Sequence, residues 1–266
     1  MNLFFRKYGK GEPIIILHGL YGSSDNWVSI AKELASNFEV FVIDQRNHGQ
    51  SPHNKEFNYN ILASDLLEFM NTQNLKRATL IGHSLGGKTI MQFAKQYPTE
   101  VNNLIVIDIA PKSYIKSFNK KFKTLSHKKI IEAILSVNII KIKSRKEIDE
   151  KLSPIIKERR LRLFLLKNLK RKKDKSFYWT LNFGAIHKNL EKIVDSVNFD
   201  EFKDTKINIS TLFIKGENSN YILDNDIKKI KNIFINSEVS TIKDASHWVH
   251  TEKPKELIES IRVFLN

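Results

Sequence analysis

The sequence predicts an α/β fold in which a mostly parallel sheet carries helices on both faces. Short apolar runs, typical of strands buried on both sides, alternate with segments of helical periodicity along the first 110 residues. The same alternation resumes after residue 204. Because parallel strands need a crossover connection, usually a helix, this order predicts one sheet built from both parts of the chain.

The predicted elements of the first part alternate strictly. Strands are predicted at residues 13–17, 38–43, 78–81 and 101–107, and helices at residues 27–34, 59–70 and 85–97. The second part adds strands at residues 209–214 and 239–242, and helices at residues 222–233 and 255–264. We therefore predict an α/β core made of residues 1–110 and 205–266.

The middle of the chain has a different pattern. Between residues 111 and 204 no segment has a convincing strand signal, whereas residues 128–135, 148–160 and 161–169 have mixed helical periodicity. The lysine-rich run at residues 170–175 is predicted to be an exposed turn. The sequence thus predicts a helical insertion of residues 111–204 in the core.

The positive charge of the chain is concentrated in this insertion. The net charge is +15, yet residues 112–175 contain 22 Lys and Arg against 6 Asp and Glu, so the remainder is nearly neutral. Such a segment either attracts an anionic substrate or forms a solvated helical surface. It could also bind nucleic acid or an anionic membrane, but no base-stacking motif accompanies it, so no nucleic-acid partner is expected.

Composition narrows the class of protein further. The chain has no cysteine, which excludes disulfides, thiol nucleophiles and thiolate metal sites and fits a reducing compartment. It shows neither a signal-peptide pattern nor an apolar run long enough to span a bilayer. We therefore expect a cytoplasmic protein without a transmembrane segment.

A candidate nucleophile lies where a predicted strand meets a predicted helix. Ser84 is the centre of a Gly-x-Ser-x-Gly motif formed with Gly82 and Gly86. In this context the serine lies on a tight strand-to-helix turn, which exposes its hydroxyl at the edge of the sheet. The helix that begins at Leu85 presents unpaired N–H groups to an oxyanion formed there.

A serine nucleophile needs a base within hydrogen-bond reach, and histidine suits this role at neutral pH. His247 is the leading candidate because it follows the last predicted strand, at the edge where parallel sheets bind ligands. His250 is the weaker alternative, since its position near the last helix favours a structural role. His83 adjoins the nucleophile, and we expect its side chain to point elsewhere.

An acid must follow the serine and precede the histidine in this arrangement. Asp108 ends the strand at residues 101–107 and is favoured by that position. Glu217 and Asp224, after the strand at residues 209–214, remain alternatives. A capping or loop-anchoring role would also explain Asp108.

An oxyanion hole needs two N–H donors, one of which follows the nucleophile. Leu85 supplies the first, and Leu20, in the loop after the strand at residues 13–17, is the candidate for the second. The polar loop at residues 44–51 follows another strand and could line the site. A structural role is at least equally plausible, so we assign it no catalytic residue.

Together these motifs resemble the α/β-hydrolase family over almost the whole chain. Within that family they resemble the small bacterial esterases of the YbfF (acyl-CoA esterase) type. The resemblance rests on five segments, at residues 18–22, 44–51, 82–88, 108–111 and 247–250. It implies that the insertion is a lid over the site. It also implies that Asp108 is the acid, because this subgroup takes its acid from the strand after the nucleophile helix. Many relatives instead carry aspartate where Ser219 stands in this chain.

The expected function is therefore a serine esterase or thioesterase that forms and hydrolyses an acyl-enzyme with Ser84, His247 and Asp108. The substrate would be a small ester or thioester, a class that includes anionic thioesters such as acyl-CoA. No cofactor or metal is expected. The same triad also serves acyltransferases, cofactor-free haloperoxidases and carbon–carbon hydrolases, which remain alternatives.

Overall fold

The computed structural model describes residues 1–115 and 126–266. Its main sheet has seven strands in the order β1-β3-β2-β4-β5-β8-β9, and all neighbours are parallel except β1 and β3. The strands in chain order are β1 (Phe5–Tyr8), β2 (Glu12–Leu17), β3 (Phe38–Ile43), β4 (Ala78–His83), β5 (Val101–Ile107), β6 (Leu169–Arg171), β7 (Phe177–Trp179), β8 (Ser210–Gly216) and β9 (Ser237–Ile242). The predicted parallel sheet is confirmed, and its antiparallel edge strand β1 is an addition to the prediction.

Helices cover both faces of this sheet, as predicted. In chain order they are α1 (Val28–Leu34), α2 (Tyr59–Thr72), α3 (Leu85–Gln96), α4 (His127–Leu135), α5 (Arg145–Leu152), α6 (Arg159–Leu166), α7 (Phe183–Asp195), α8 (Asp224–Ile233), α9 (Val249–Glu252) and α10 (Pro254–Leu265). Among the described residues, none of these helices is long and apolar enough to cross a bilayer.

The core consists of two apolar clusters, one on each face of the sheet. Successive strand residues point to opposite faces, so Ile14 and Ile16 join one cluster while Ile15 and Leu17 join the other. Helices α1 and α10 pack on the first face, and α2, α3 and α8 on the second. Burial on both sides explains why these strands read as continuous apolar runs.

The middle segment, residues 111–204, lies between β5 and β8 in the chain. Its described residues form helices α4 to α7 and a two-stranded antiparallel hairpin of β6 and β7. The prediction of helices alone was wrong here, because strands of three residues are too short to show a period. The lysine-rich run at residues 170–175 begins in β6 and continues into the exposed turn of this hairpin. Residues 116–125 of the predicted insertion lie outside the described residues.

Candidate active site

The backbone at Ser84 is strained in the way that a strand-to-helix turn requires. Ser84 has φ 53° and ψ −112° between β4 and α3, a region that residues with a side chain rarely adopt. A Cβ on Gly82 would lie 2.4 Å from the Gly86 carbonyl oxygen, and one on Gly86 would lie 2.3 Å from the Leu17 carbonyl oxygen. The two glycines are therefore needed for the turn to pack against β2.

Asp108 and His247 are brought together from distant parts of the chain. Asp108 follows β5 with φ 48°, and its side chain is fully buried. His247 Nδ1 lies 2.8 Å from Asp108 Oδ2, and the other carboxylate oxygen accepts the Gly216 N–H at 3.0 Å. Because Nδ1 donates to the carboxylate, neutral His247 leaves its Nε2 lone pair free to accept a proton.

Ser219 is a member of this cluster that the sequence did not indicate as functional. Its hydroxyl donates a hydrogen bond to Asp108 Oδ2, and its Oγ accepts the Tyr221 N–H at 3.2 Å. Together with Gly216 and His247, Ser219 gives the Asp108 carboxylate three donors. A buried carboxylate needs such partners, since an unpaired one would be costly.

Two aromatic side chains hold the ring of His247. Tyr221 stacks on it with ring centroids 3.7 Å apart and an angle of 13° between the planes. His83 lies with its ring centroid 4.7 Å away, and its Nε2 donates to the His247 carbonyl oxygen at 2.8 Å. Burial lowers the pKa of His83, so this residue is neutral near pH 7. The neighbour of Ser84 thus fixes the backbone of the candidate base.

The alternative acids and base have other partners. Glu217 accepts the Asp244 N–H at 3.0 Å, and Asp224 pairs with Lys215 at 2.8 Å on the surface. His250 stacks on Trp27 with centroids 4.6 Å apart. Burial, with smaller contributions from His247 and Lys167, lowers the pKa of His250 to about 3. The structure thus places Asp108, and neither alternative acid, against His247.

The loop that carries Leu20 is fixed by a buried polar network. His18 Nε2 accepts the Gln45 N–H at 3.0 Å, which leaves the Nδ1 hydrogen to bond the Gly19 carbonyl at 2.9 Å. The Gln45 amide in turn donates to the His18 carbonyl at 2.8 Å and accepts from Thr89 of α3 at 2.9 Å. This network ties the Leu20 loop to the helix that starts at Leu85.

The polar loop at residues 44–51 makes the contacts expected of a structural role. The Asp44 carboxylate accepts the backbone N–H groups of Ser24 at 2.6 Å and Gln50 at 2.8 Å. Arg46 forms a bidentate ion pair with Asp65 of α2 at 2.5 and 2.7 Å. These side chains anchor the loop to its neighbours. Gln45 is the residue of this loop that contacts the Leu20 loop and α3.

Ser84 and His247 line one pocket of about 330 Å³, together with Leu20. The core contributes Tyr21, Tyr221 and Trp248 to its wall as well. The middle segment contributes Tyr114, His127, Ile130, Glu158, Leu161 and Phe164 to the wall. The exposed area of this wall is mostly apolar, as in many small-molecule sites, although polar side chains such as Asn26, Glu158 and Asn220 also line it. Within the described ranges, no group of three or more His, Asp or Glu is arranged to hold a metal ion.

Known proteins are similar to this chain over most of its length. Residues 12–136 match the family model described as the alpha/beta hydrolase fold. The sn-1-specific diacylglycerol lipase ABHD11 of Danio rerio is 38% identical over 263 residues, which cover 97% of this chain and 80% of that protein. The chain belongs to the α/β-hydrolase family.

Two further members of the α/β-hydrolase family are similar over nearly their whole length. Esterase YbfF of Escherichia coli (strain K12) is 30% identical over 255 residues, covering 96% of this chain and 93% of that protein. A solved structure described as a marine microorganism esterase has a TM-score of 0.89 and 47% identity, and covers 98% of both chains. The expected relationship to YbfF-type esterases is thereby confirmed.

Proposed function

We propose that the protein is a serine hydrolase that cleaves carboxylic esters or thioesters through an acyl-enzyme. The observation that carries this proposal is the hydrogen bond from His247 Nδ1 to buried Asp108, beside the pocket that holds Ser84. The likeness to esterases and lipases supports an ester as the substrate.

The proposed reaction has two halves that use the same residues. His247 Nε2 takes the hydroxyl proton of Ser84 while Oγ attacks the carbonyl carbon, and Asp108 stabilises the imidazolium. The N–H groups of Leu20 and Leu85 bind the oxyanion. Collapse expels the alcohol or thiol, which leaves with the proton from His247. Water, deprotonated by His247, then attacks the acyl-enzyme and releases the carboxylic acid.

The middle segment is proposed to act as the lid of this site. This segment contributes six side chains to the pocket wall. Four of them are apolar or aromatic, and the other two are His127 and Glu158. A substrate must therefore pass beside them to reach Ser84. We accordingly propose a division into a core of residues 1–110 and 205–266 and a lid of residues 111–204. The lack of cysteine suits the cytoplasm as the proposed location.

The test is hydrolysis of p-nitrophenyl butyrate by the Ser84→Ala protein. Removal of a triad serine is expected to lower kcat by about 10³-fold or more, because no nucleophile replaces it. Ser64→Ala, at an exposed position of α2, is the matched control and should retain full activity. Turnover by Ser84→Ala equal to that of the control would overturn the proposal.

Two comparisons with the active protein refine the reaction. Rates on p-nitrophenyl esters and on acyl-CoA thioesters separate ester from thioester preference. Repeating both measurements over a range of salt concentrations tests whether the basic segment attracts an anionic substrate. Product analysis in the presence of a competing alcohol separates hydrolysis from acyl transfer, since a transferase would give the new ester.

A further inference from the structure

A second cavity lies beside the catalytic pocket and shares part of its wall. It has a volume of about 300 Å³, and the residues common to both are Tyr21, Asn26 and Phe164. Tyr21 directly follows Leu20, the candidate oxyanion donor. The second cavity is therefore adjacent to the position where the carbonyl group of the substrate would react.

The second cavity has an excess of positive charge. Its wall includes three cations, Arg145, Lys167 and Lys170, and one acid, Asp25. Asp25 is shared between Lys170 at 3.6 Å and Arg6 at 2.5 Å. Among the described residues, no carboxylate lies within 4.0 Å of Arg145 or Lys167. Two cations of this wall thus have no carboxylate partner in the part of the chain that the structure describes.

The wall between the two cavities is held by hydrogen bonds. Asn168 donates to the Tyr21 carbonyl at 2.8 Å and to the Leu165 carbonyl at 3.3 Å. Arg145 uses one Nη2 hydrogen on the Leu169 carbonyl at 2.7 Å, which fixes its guanidinium and leaves other N–H groups for a ligand. Lys167 is exposed at the end of α6, so its ammonium group is accessible from solvent.

We propose that this cavity is an anion subsite, in which Arg145 and Lys167 bind a phosphate group on the leaving side of the substrate. This inference rests on the function proposed above. An apolar acyl chain fits the aromatic wall of the catalytic pocket, so the alcohol or thiol is the part that carries a phosphate. A planar guanidinium fork together with a mobile ammonium matches the oxygens and charge of a phosphate.

Two kinds of leaving group present this chemistry next to an acyl carbonyl. One is a phosphorylated thiol, as in acyl-CoA, and the other is a glycerol phosphate, as in a lysophosphatidic acid. The experiment therefore compares kcat/KM on both with kcat/KM on p-nitrophenyl butyrate, which has no phosphate. The variants are Lys167→Gln, Lys167→Glu and Arg145→Gln. The matched control is Lys173→Gln, which removes one exposed charge of the same segment away from the cavity.

Loss of a charge-assisted hydrogen bond is expected to reduce kcat/KM on phosphorylated substrates ten-fold or more beyond any loss on the neutral ester. The reduction should be larger for Lys167→Glu than for Lys167→Gln. Lys167 makes no ion pair among the described residues, so its variants test the subsite even if Arg145→Gln folds poorly. A reduction in the acyl-CoA arm alone, or in the glycerol phosphate arm alone, identifies the source of the phosphate.

Equal losses on all three substrates, or losses no larger than those of Lys173→Gln, would overturn the subsite. Direct binding separates this failure from failure of the proposed function. Inorganic pyrophosphate, titrated into the Ser84→Ala protein by calorimetry, should bind more weakly to the Lys167→Glu version. A protein that hydrolyses no ester but binds pyrophosphate through Lys167 would overturn the proposed function and leave the anion subsite. A protein that hydrolyses the neutral ester but neither binds pyrophosphate nor discriminates between substrates by charge would overturn the anion subsite and leave the proposed function.

Discussion

Ser219 donates a hydrogen bond to Asp108 Oδ2, the same carboxylate oxygen that lies 2.8 Å from His247 Nδ1. Asp108 follows β5 and Ser219 follows β8, and these two strands are neighbours in the sheet. Position 219 therefore lies against the carboxylate oxygen that contacts the imidazole. This relationship explains how the family resemblance can place an acid at position 219 while this chain has one at position 108.

Ser219→Ala tests whether the hydroxyl supports the candidate acid. The variant removes one of three donors to a buried carboxylate, so Asp108 should be held less firmly against His247. We expect kcat on p-nitrophenyl butyrate to fall about ten-fold with little change in KM, the order expected for one hydrogen bond to a charged group. Ser219→Thr keeps the hydroxyl and should retain most of the activity. Equal activity of the alanine and threonine variants would show that the hydroxyl has no such role.

Relocation of the acid follows from the same geometry. Asp108→Ala removes the carboxylate, and we expect a loss in kcat of about 10³- to 10⁴-fold, as for other triads that lose the acid. Adding Ser219→Asp places a carboxylate beside the vacated position, and we expect it to restore activity at least ten-fold. Steady-state kinetics of the single and double variants measure this.

The single variant Ser219→Asp provides the internal control for relocation. With Asp108 present, two carboxylates would share one buried position, and like charges there disfavour each other. We therefore expect Ser219→Asp alone to be slower than wild type, although it rescues Asp108→Ala. A double variant no faster than Asp108→Ala would contradict the proposed roles of both positions.

The sequence predicts the core of this fold well because the physical signal is strong there. β4 and β5 are buried on both faces and flanked by long amphipathic helices, so apolar runs and helical periods alternate clearly. The hairpin of β6 and β7 gives no such signal, since each strand has three residues. Pro154 interrupts the predicted helix at residues 148–160, and the structure has α5 and α6 on either side of it.

The site divides along similar lines. Ser84, Asp108 and His247 are recognisable because each directly follows a strand, or a strand and a short loop, at one edge of the sheet. The contacts of Ser219 and Tyr221 are not predictable from the sequence, since they depend on how two loops meet. The proximity of the loop at residues 44–51 to the strand ends was recognisable, but its anchoring role follows from contacts with α2 and the Leu20 loop.

Buried neutral histidines predict how stability depends on pH. Burial lowers the pKa of His18 to about 4, and of His48 and His250 to about 3. The unfolded chain binds protons at these residues below its own pKa of about 6.5, whereas the folded protein does not. The free energy of unfolding should therefore be independent of these groups above pH 7. It should fall as pH decreases from about 6.5 to 4, by up to about 1.4 kcal/mol per pH unit for each histidine.

His250→Phe isolates one of these contributions. The substitution keeps an aromatic ring against Trp27 and removes a buried Nδ1 for which the described residues provide no hydrogen-bond partner. The free energy of unfolding, measured in urea between pH 7.5 and 4.5, should fall less steeply with decreasing pH for this variant than for wild type. The difference in slope should correspond to about one fewer proton taken up on unfolding. A slope identical to that of wild type would show that His250 is not neutral in the folded protein.

Lys88 connects α3 to both ends of the middle segment. Its side chain is buried, and Nζ donates to the carbonyl oxygens of Lys112 at 2.9 Å and Ser196 at 2.7 Å. Nζ also lies 5.0 Å from the ring centroid of Tyr114, which lines the catalytic pocket. One side chain thus joins the helix that follows Ser84 to the two places where the proposed lid leaves and re-enters the core.

Lys88→Met keeps much of the apolar stem but removes every one of these hydrogen bonds. Buried carbonyl groups left without a donor cost about 1–3 kcal/mol each, so we expect the free energy of unfolding to fall by about 2–5 kcal/mol. Lys95→Met is the matched control on the same helix, because Lys95 Nζ donates to the Glu201 carbonyl at an exposed position. This substitution should lower the free energy of unfolding by less than about 1 kcal/mol. Since the lost bonds hold the ends of the middle segment, trypsin should cleave within residues 111–204 faster in Lys88→Met than in Lys95→Met. Equal cleavage rates and equal stability losses would mean that Lys88 contributes no more to the attachment of this segment than an exposed lysine does.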